Sequence, residues 1–358
     1  MNPPAIQAPN DLMPSPDWKV FARLPDPVGF GGMFAGTLGT RLVTGGGSQF
    51  RNQPFWLGGQ KNYSDRIFTS TAPEENWREE TTRMPEKCGH FASAASPDAI
   101  YLVGGLGTQG PLRSCFALHE RGGTLAFSPL PDFPVALCYG SAAIAAGRLL
   151  VVGGQQSPDD KKATTEVWSL ELASPHAWRA EPNFPGAAVF VAAMASDGKS
   201  AFVLGGMSFD ANGRYKPSNE AHRFNLNARQ WERLPDLPAP RVGAATPALV
   251  LAGEKILLIG GYAEVFSGAP REHPGFSTQT LVYDLIQRRW SQGPVLPRVT
   301  VTNRDSPSDE GPGPVMAAPC TLWKNQAVVI GGETRSGART ASVMAWPFAS
   351  GLRPSPPR

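Results

Sequence analysis

A carboxylate and a guanidinium stand six residues apart near the end of the chain, where they could together assist a proton transfer. Glu333 follows directly after Gly331-Gly332, and Arg339 follows Gly337-Ala338. A carboxylate on a short loop can accept a proton, and a guanidinium beside it can bind an anion through two parallel hydrogen bonds. A plain ion pair that pins the loop needs the same two residues, and the residue types alone favour this simpler interpretation.

Two further arginines follow proline-rich corners and could bind a substrate carboxylate. Arg241 comes after Leu237-Pro238-Ala239-Pro240, and Arg298 comes after Leu296-Pro297. The planar fork of an arginine matches a carboxylate through two hydrogen bonds, but it can equally donate to loop carbonyls. Both arginines are therefore predicted substrate-binding residues, each with a structural alternative.

Three more polar residues lie where a binding cavity could form. His90 and Tyr139 each begin a run of small residues, which predicts that both stand at the start of an inner strand. The structural alternative for both is a satisfied side chain without a role in binding. Lys61 lies in a long loop, residues 49–65, that mixes basic and aromatic side chains. Such a mixture suits a sugar acid, and it equally suits a protein contact.

The cysteines and histidines indicate neither a metal site nor a disulfide framework. The four cysteines, Cys88, Cys115, Cys138 and Cys320, show no CxxC spacing, and the five histidines are scattered along the chain. The sequence also lacks a recognisable Ser/His/Asp arrangement. We therefore expect no metal and no cofactor, and we expect free, mostly buried thiols.

Composition and charge exclude several classes of partner. The chain has 358 residues, a net charge of +3 and 18% charged residues, and it has no dense run of Lys and Arg, so no nucleic-acid partner is expected. No apolar run approaches the ~18 residues that span a bilayer, so no membrane partner is expected. Residues 1–16 show no basic segment followed by an apolar one. We expect a cytoplasmic protein, or a periplasmic one if a leader precedes this sequence.

Gly-Gly pairs that follow a short apolar run recur six times along the chain, at a period near 50 residues, and they predict a repeated all-β unit. A period near 50 residues is typical of kelch propellers. Each pair ends a short apolar run, and a run that is apolar on both faces is typical of a strand sandwiched between neighbouring layers. The pairs fall at Gly45-Gly46, Gly104-Gly105, Gly153-Gly154, Gly205-Gly206, Gly260-Gly261 and Gly331-Gly332.

Each repeat predicts three further strands. A strand of small residues, such as residues 140–145 or 243–246, precedes the apolar run and would lie innermost. A third strand follows the glycines, and a fourth often begins with tryptophan. The last repeat lacks a fourth strand, but residues 17–25 at the other end of the chain have its pattern. We therefore predict a six-bladed kelch β-propeller over residues 16–348, with its last blade closed by the N-terminal strand and with Pro-rich tails at residues 1–15 and 349–358.

The long loops of such a propeller would gather on one face. Loops between second and third strands share a face with the connections between blades, because each blade has four antiparallel strands. The long stretches at residues 48–64, 208–218, 262–277 and 298–314 all belong to these two classes. Long loops on a rigid scaffold often carry function, so we predict the binding site on this face. Free variation of loop length is the alternative.

Four stretches resemble the kelch-type N-acetylneuraminate epimerases, or sialic acid mutarotases, in their cyclically permuted branch. The resemblance covers residues 17–346, and its most specific part is the loop of the sixth repeat. The four stretches are Gly332-Glu333 with Gly337-Ala338-Arg339-Thr340, the loop with Gly58-Gly59-Gln60-Lys61 before Tyr63-Ser64-Asp65, residues 219–225, and the start of the chain at a blade's last strand.

The resemblance implies an isomerase that interconverts the α and β anomers of N-acetylneuraminate without a metal or a nucleotide. It implies Glu333 as the proton acceptor and Arg339 as its partner or as a ligand of the substrate carboxylate. Two alternatives stay open from the sequence. One is a non-enzymatic kelch propeller that binds a protein or a glycan, and the other is a mutarotase or lectin for another sugar acid.

Overall fold

Antiparallel strands dominate the structure, a computed structural model that describes residues 17–300, 310–312 and 316–348. The prediction of an all-β protein is confirmed. The helical segments in these ranges are three 3-10 turns, Phe55–Leu57, Pro158–Asp160 and Pro270–Glu272. Within the same ranges, no helix has the length and apolarity needed to cross a bilayer. The two predicted tails and most of the long loop at residues 298–314 lie outside the described residues.

The described strands form six sheets that each contain four antiparallel strands in series, which we number 1 to 6. Sheet 1 consists of Gly31–Leu38, Arg41–Gln49, Ile67–Ser70 and Arg78–Glu79, with Asn62–Tyr63 beside its second strand. Sheet 2 consists of Ala92–Ala95, Ile100–Val103, Cys115–Arg121 and Thr124–Leu130. Sheet 3 consists of Ser141–Ala145, Arg148–Val152, Val167–Glu171 and Arg179–Ala180.

The other three sheets repeat this order. Sheet 4 consists of Ala193–Ser196, Ser200–Leu204, Ala221–Asn225 and Gln230–Arg233. Sheet 5 consists of Leu249–Leu251, Lys255–Ile259, Thr280–Asp284 and Arg289–Gln292. Sheet 6 consists of Cys320–Trp323, Gln326–Ile330, Ser342–Pro347 and, from the other end of the chain, Lys19–Arg23.

Short strand pairs form in the loops within and between these sheets. They pair Leu106–Gly107 with both Cys88–Gly89 and Gly110–Pro111, Met207–Phe209 with Tyr215–Pro217, Arg298–Thr300 with Glu310–Pro312, and Glu333–Arg335 with Ala338–Arg339. The last of these hairpins carries the carboxylate and the guanidinium singled out in the sequence.

The first strands of the six sheets lie beside one another in a cyclic order. The first strand of sheet 1 contacts those of sheets 2 and 6, and the contacts continue from 2 to 3, 3 to 4, 4 to 5 and 5 to 6. Small residues such as Ala92, Ala142 and Ala193 line these strands. Small side chains allow adjacent strands to approach closely, which is the physical reason for the small-residue pattern in the sequence.

The Gly-Gly pairs of sheets 2, 3, 4 and 6 dock their sheet onto the segment that leads into the next sheet. There the second glycine donates its N–H to a carbonyl of that segment, for example Gly154 to Val189 at 2.8 Å, Gly206 to Arg241 at 2.6 Å and Gly332 to Phe30 at 2.8 Å. Both glycines of the Gly205-Gly206 pair have positive φ, 63° and 101°. A Cβ on Gly205 would collide with the backbone oxygen of Arg241, so only glycine fits there.

Two details of the predicted repeat were wrong. In sheet 1 the equivalent pair is Gly46-Gly47, with φ of 67° and 87°, while Gly45 pairs with Phe34 inside the sheet. A run of three glycines admits either register, and only the packing selects one. The predicted inner strand at residues 243–246 is irregular, and the first strand of sheet 5 is Leu249–Leu251. Pro247 stands between them and has no N–H to donate to a ladder.

The N-terminal strand is anchored by tryptophan. Lys19–Arg23 pairs antiparallel with Ser342–Pro347, and the rings of Trp18 and Trp346 stack with centroids 6.3 Å apart. Trp18 is 4% exposed and belongs to the apolar cluster between sheets 5 and 6. Sheet 6 therefore depends on residues from both ends of the chain.

Replacing Trp18 should weaken the fold far more than replacing its exposed neighbour. Trp18→Ala is expected to lower the free energy of unfolding by about 3–5 kcal/mol, because it deletes a large buried ring. Val20 is 43% exposed on the same strand, and Val20→Ala should change the value by less than about 0.5 kcal/mol. Urea denaturation of both variants checks this, and equal losses would contradict the anchoring role.

Candidate functional site

Glu333 and Arg339 face each other across a short hairpin. Glu333 is the register partner of Arg339 in the pair Glu333–Arg335 and Ala338–Arg339. Arg339 Nη1 lies 2.6 Å from Glu333 Oε1, and the N–H of Gly337 donates to Glu333 Oε2 at 3.2 Å. The six-residue spacing in the sequence is therefore a tight turn that brings the two charges together and fixes the carboxylate at both oxygens.

Arg339 is held by sheet 1 on its other side. Its Nε donates to the backbone oxygen of Ser48 at 3.1 Å, and its guanidinium carbon lies 5.4 Å from the ring centroid of Phe50. The side chain is 3% exposed, compared with 10% for Glu333. Arg339 therefore contacts Glu333 on one side and sheet 1 on the other, and it supports the carboxylate from behind.

Glu333 lines a cavity of about 250 Å³ at the first strands of the sheets. Lys61, His90 and Tyr139 line the same cavity, so four of the predicted site residues come together. The remaining wall is mostly small or apolar, including Gly32, Phe91, Ala142, Met194 and Met316. A mostly apolar cavity with a few convergent polar groups is typical of a small-molecule site.

Backbone hydrogen bonds that run from sheet to sheet position His90 and Tyr139. The N–H of His90 donates to Gly32 O at 2.9 Å, that of Tyr139 to His90 O at 2.8 Å, and that of Val191 to Tyr139 O at 2.9 Å. His90 and Tyr139 have positive φ, 55° and 56°. Left-handed backbone is costly for residues with a Cβ, and such residues cluster at functional sites.

The charges in the cavity shift the protonation of their neighbours. Burial, together with the positive charges of Lys61 and Arg339, holds the pKa of His90 well below its usual range. The His90 Nε2 lies 3.2 Å from Ser48 Oγ. Lys61 is exposed as a whole residue, but partial shielding of its ammonium from water and the charge of Arg339 lower its pKa, with a smaller opposing effect from Glu333. Lys61 therefore releases a proton more readily than an ordinary lysine.

Tyr139 in the cavity wall and Tyr63, near Lys61 in the sequence, keep their protons to high pH. Burial raises the pKa of Tyr63 to about 12 and raises the pKa of Tyr139 further. The rings of His90 and Tyr139 lie with centroids 5.0 Å apart. The cavity thus offers a neutral imidazole and a protonated phenol side by side as hydrogen-bonding groups.

Sequence reasoning missed Ser48 and Tyr262. Both directly follow the positive-φ glycine pair of their sheet, which is also the position of Glu333 in sheet 6. The Tyr262 ring stacks on Phe276 with centroids 5.6 Å apart, and burial and the Glu333 charge raise the Tyr262 pKa. Comparing the residue after Gly-Gly in the repeats would have identified Tyr262, whereas Ser48 also needed the register of the three glycines, which only the packing selects.

The two other arginines lie elsewhere. Arg241 is 4% exposed and lines a separate cavity of about 550 Å³, which shares no lining residue with the cavity of Glu333. Arg298 begins the strand Arg298–Thr300, and its side chain lies outside the described part of the structure. The structure therefore does not bring Arg241 together with Glu333.

The cysteines and potential metal ligands form no additional site among the described residues. The four cysteines are free and buried, as predicted. In residues 17–300, 310–312 and 316–348, no three His, Cys, Asp or Glu side chains are grouped to hold a metal ion.

Comparisons with known proteins point to the epimerases. An N-acetylneuraminate epimerase of Haemophilus influenzae (strain 86-028NP) is 28% identical over 240 residues, which cover 59% of this chain and 57% of that protein. One of Yersinia enterocolitica is 23% identical over 241 residues, 60% of this chain and 56% of that protein. The resemblance to the N-acetylneuraminate epimerases is confirmed. The chain matches little more than half the length of these epimerases.

The chain is also similar to a human kelch protein. The human Kelch-like protein 34 is 26% identical over 290 residues, which cover 76% of this chain and 40% of that protein. No protein-family model matches the chain. The similarity to epimerases is thus distant, and it is accompanied by a similarity to a kelch protein.

The neutral His90 should make the fold sensitive to acid. Because its folded pKa lies below the unfolded value of about 6.5, the unfolded chain binds more protons below that pH, and stability falls as pH drops. His90→Asn removes this group with a residue that tolerates left-handed backbone. Between pH 6.5 and 5, the variant should lose stability less steeply than the wild type, by up to about 1.4 kcal/mol per pH unit.

Urea denaturation at a series of pH values measures this difference. Above pH 7.5 the difference in stability between the two proteins should be constant, which serves as the internal control. Parallel pH curves from 7.5 to 5 would show that His90 titrates as an exposed histidine does.

Proposed function

We propose that the protein is an N-acetylneuraminate mutarotase built on a six-bladed kelch β-propeller, whose last blade is closed by the N-terminal strand. The cyclic contacts of the first strands support the propeller. The pairing of Lys19–Arg23 with Ser342–Pro347 supports the closure. The resemblance to epimerases and the geometry around Glu333 support the activity.

The observation that carries the proposal is the placement of Glu333. Its carboxylate is fixed by Arg339 and Gly337 and lines a cavity of small-molecule size. A general base must be held within reach of the proton it abstracts, and a doubly held carboxylate satisfies this requirement. Glu333 is also the residue to which the resemblance assigns the proton transfer.

In the proposed reaction Glu333 accepts the proton of the anomeric hydroxyl. The electrons of that O–H bond form the ketone, the ring C–O bond breaks, and the ring oxygen takes a proton from an acid or from water. Rotation of the ketone by half a turn and the reverse steps give the other anomer. The reaction already proceeds in water, so general acid–base assistance of about 10²–10⁴-fold is sufficient.

The other residues of the cavity would bind and orient the sugar acid. Lys61 lines the cavity and would pair with the substrate carboxylate, whereas Arg339 lies behind Glu333 and would act as a positioning residue. His90 and Tyr139 would hydrogen-bond sugar hydroxyls as neutral groups. Substrate binding is thus divided between one cation and two neutral side chains.

A non-enzymatic kelch propeller that binds a protein or a glycan is the second candidate. The similarity to Kelch-like protein 34, which covers more of this chain than the epimerase matches do, favours it. This candidate requires no proton transfer at Glu333, and the two functions therefore differ in a measurable rate.

Removing the base should abolish the acceleration. Freshly released α-N-acetylneuraminate approaches equilibrium at a rate that NMR follows directly, and wild-type protein should raise this rate about 10²–10⁴-fold above buffer. Glu333→Gln keeps the size of the side chain and should return the rate to that of buffer. Glu264 is an exposed carboxylate on a loop of sheet 5, and Glu264→Gln should leave the rate unchanged.

A wild-type rate equal to that of buffer, or full activity in Glu333→Gln, would contradict the enzymatic proposal.

Neutralising Lys61 should impair binding more than turnover. Lys61→Met removes the proposed partner of the substrate carboxylate, so KM should rise about tenfold or more, as expected for a lost charge-assisted hydrogen bond, while kcat changes less. Lys162→Met, at an exposed position of a sheet 3 loop, is the matched control. Steady-state mutarotation kinetics give both constants, and an unchanged KM would contradict this role.

A further inference from the structure

Arg241 carries a buried positive charge for which the described residues supply no counter-charge. Its Nη2 donates to Gln279 Oε1 at 3.1 Å, and Nε has no hydrogen-bond partner. Within the described residues, no carboxylate forms an ion pair with it, and burial by itself lowers the pKa of Arg241. A buried guanidinium that faces one neutral amide is an unusual arrangement, because charges removed from water are normally paired.

The backbone around Arg241 is rigid. The N–H of Arg241 donates to Ser218 O at 3.0 Å, and its carbonyl accepts from Gly206 at 2.6 Å. Val242 and Tyr262 exchange two backbone hydrogen bonds, of 2.9 and 3.1 Å. The sheet junction therefore fixes the backbone from which the guanidinium extends.

The cavity beside Arg241 is large enough for a small organic molecule. Its volume is about 550 Å³, within the usual range for ligand sites. Ser277, Thr278 and Gln279 supply hydroxyl and amide groups to its wall, and Phe276 and Leu296 supply apolar surface. One cation, several neutral polar groups and an apolar side suit a hydroxylated carboxylic acid.

An aromatic pair stands between this cavity and the cavity of Glu333. Tyr262 stacks on Phe276, and Tyr262 is close enough to Glu333 for the carboxylate charge to raise its pKa. The N–H of Phe276 donates to Thr334 O at 3.1 Å, next to Glu333. The two cavities are thus neighbours without a common lining residue.

We propose that the Arg241 cavity is a second anion site, which binds the carboxylate of a small hydroxylated organic acid through the free donors of the guanidinium. The bound carboxylate supplies the counter-charge that Arg241 lacks among the described residues. Gln279 orients the fork, and the hydroxyls of Ser277 and Thr278 meet the hydroxyls of the ligand. This proposal does not depend on mutarotation, and binding alone tests it.

Calorimetric titration with glucuronate, glucose and inorganic phosphate distinguishes the possible ligands. Wild-type protein should bind glucuronate and should not bind glucose, which has the hydroxyls but no charge. Arg241→Met should weaken glucuronate binding at least tenfold, because it removes charge-assisted hydrogen bonds. Lys162→Met, at an exposed position outside both cavities, should retain the wild-type affinity, and Lys61→Met tests whether glucuronate binds in the Glu333 cavity instead.

Two controls show whether a folding defect explains a loss of binding. One is the Arg241→Lys variant, and the other is the thermal stability of the ligand-free proteins. The lysine variant keeps the charge without the fork and should bind glucuronate with intermediate affinity. Ligand-free Arg241→Met should unfold at or above the wild-type Tm, because an unpaired buried charge has been replaced by an apolar chain. Equal affinity of wild type and Arg241→Met for glucuronate, preference for phosphate, or binding lost only in Lys61→Met would overturn the proposal.

Discussion

The structure depends on a series of backbone hydrogen bonds that passes through all six sheets. One residue before or at the start of each first strand has left-handed φ and binds the equivalent residue of the neighbouring sheet. The series joins, in order, Ala317, Gly32, His90, Tyr139, Val191 and Gly243. Thr246 then bonds Ala318 and Cys320, which returns the connection to sheet 6. Each inner strand is thus spaced by the backbone of its neighbours, and the Gly-Gly pairs add a second set of inter-sheet bonds.

This series explains why site residues occur where they do. His90 and Tyr139 occupy positions where φ is positive, so their rings are directed by a backbone that the neighbouring sheets hold. Gly32 takes the same position in sheet 1, and a Cβ there would lie 2.5 Å from His90 Nδ1. The glycine therefore makes room for the imidazole. The same constraint that spaces the sheets also shapes the proposed site.

The position after each glycine pair links the fold to chemistry. Glu333, Tyr262 and Ser48 occupy it in three different sheets. Tyr262 lies near the Glu333 carboxylate, and Ser48 holds Arg339, which pairs with that carboxylate. Sheet 6, which bears Glu333, receives its fourth strand from the N-terminal end of the chain. Sheet 1 supplies the carbonyl that holds Arg339. The carboxylate is therefore supported at the junction where the two ends of the chain meet.

The sequence by itself determined the features that repeat or act locally. The Gly-Gly period, the apolar runs and the tryptophan-led strand near the N-terminus predicted an all-β chain and the pairing of residues 17–25 with the last repeat, of which residues 19–23 form the strand. The Glu333–Arg339 pair was visible because a six-residue hairpin brings its two ends together. Only the tertiary structure decided which distant side chains share a cavity. Arg339 meets the carbonyl of Ser48 across 291 residues, and Arg241, equally basic, faces a different cavity. Residue type is a local property, whereas the counter-charges and walls of a site come from several sheets whose alignment is set by packing and inter-sheet hydrogen bonds.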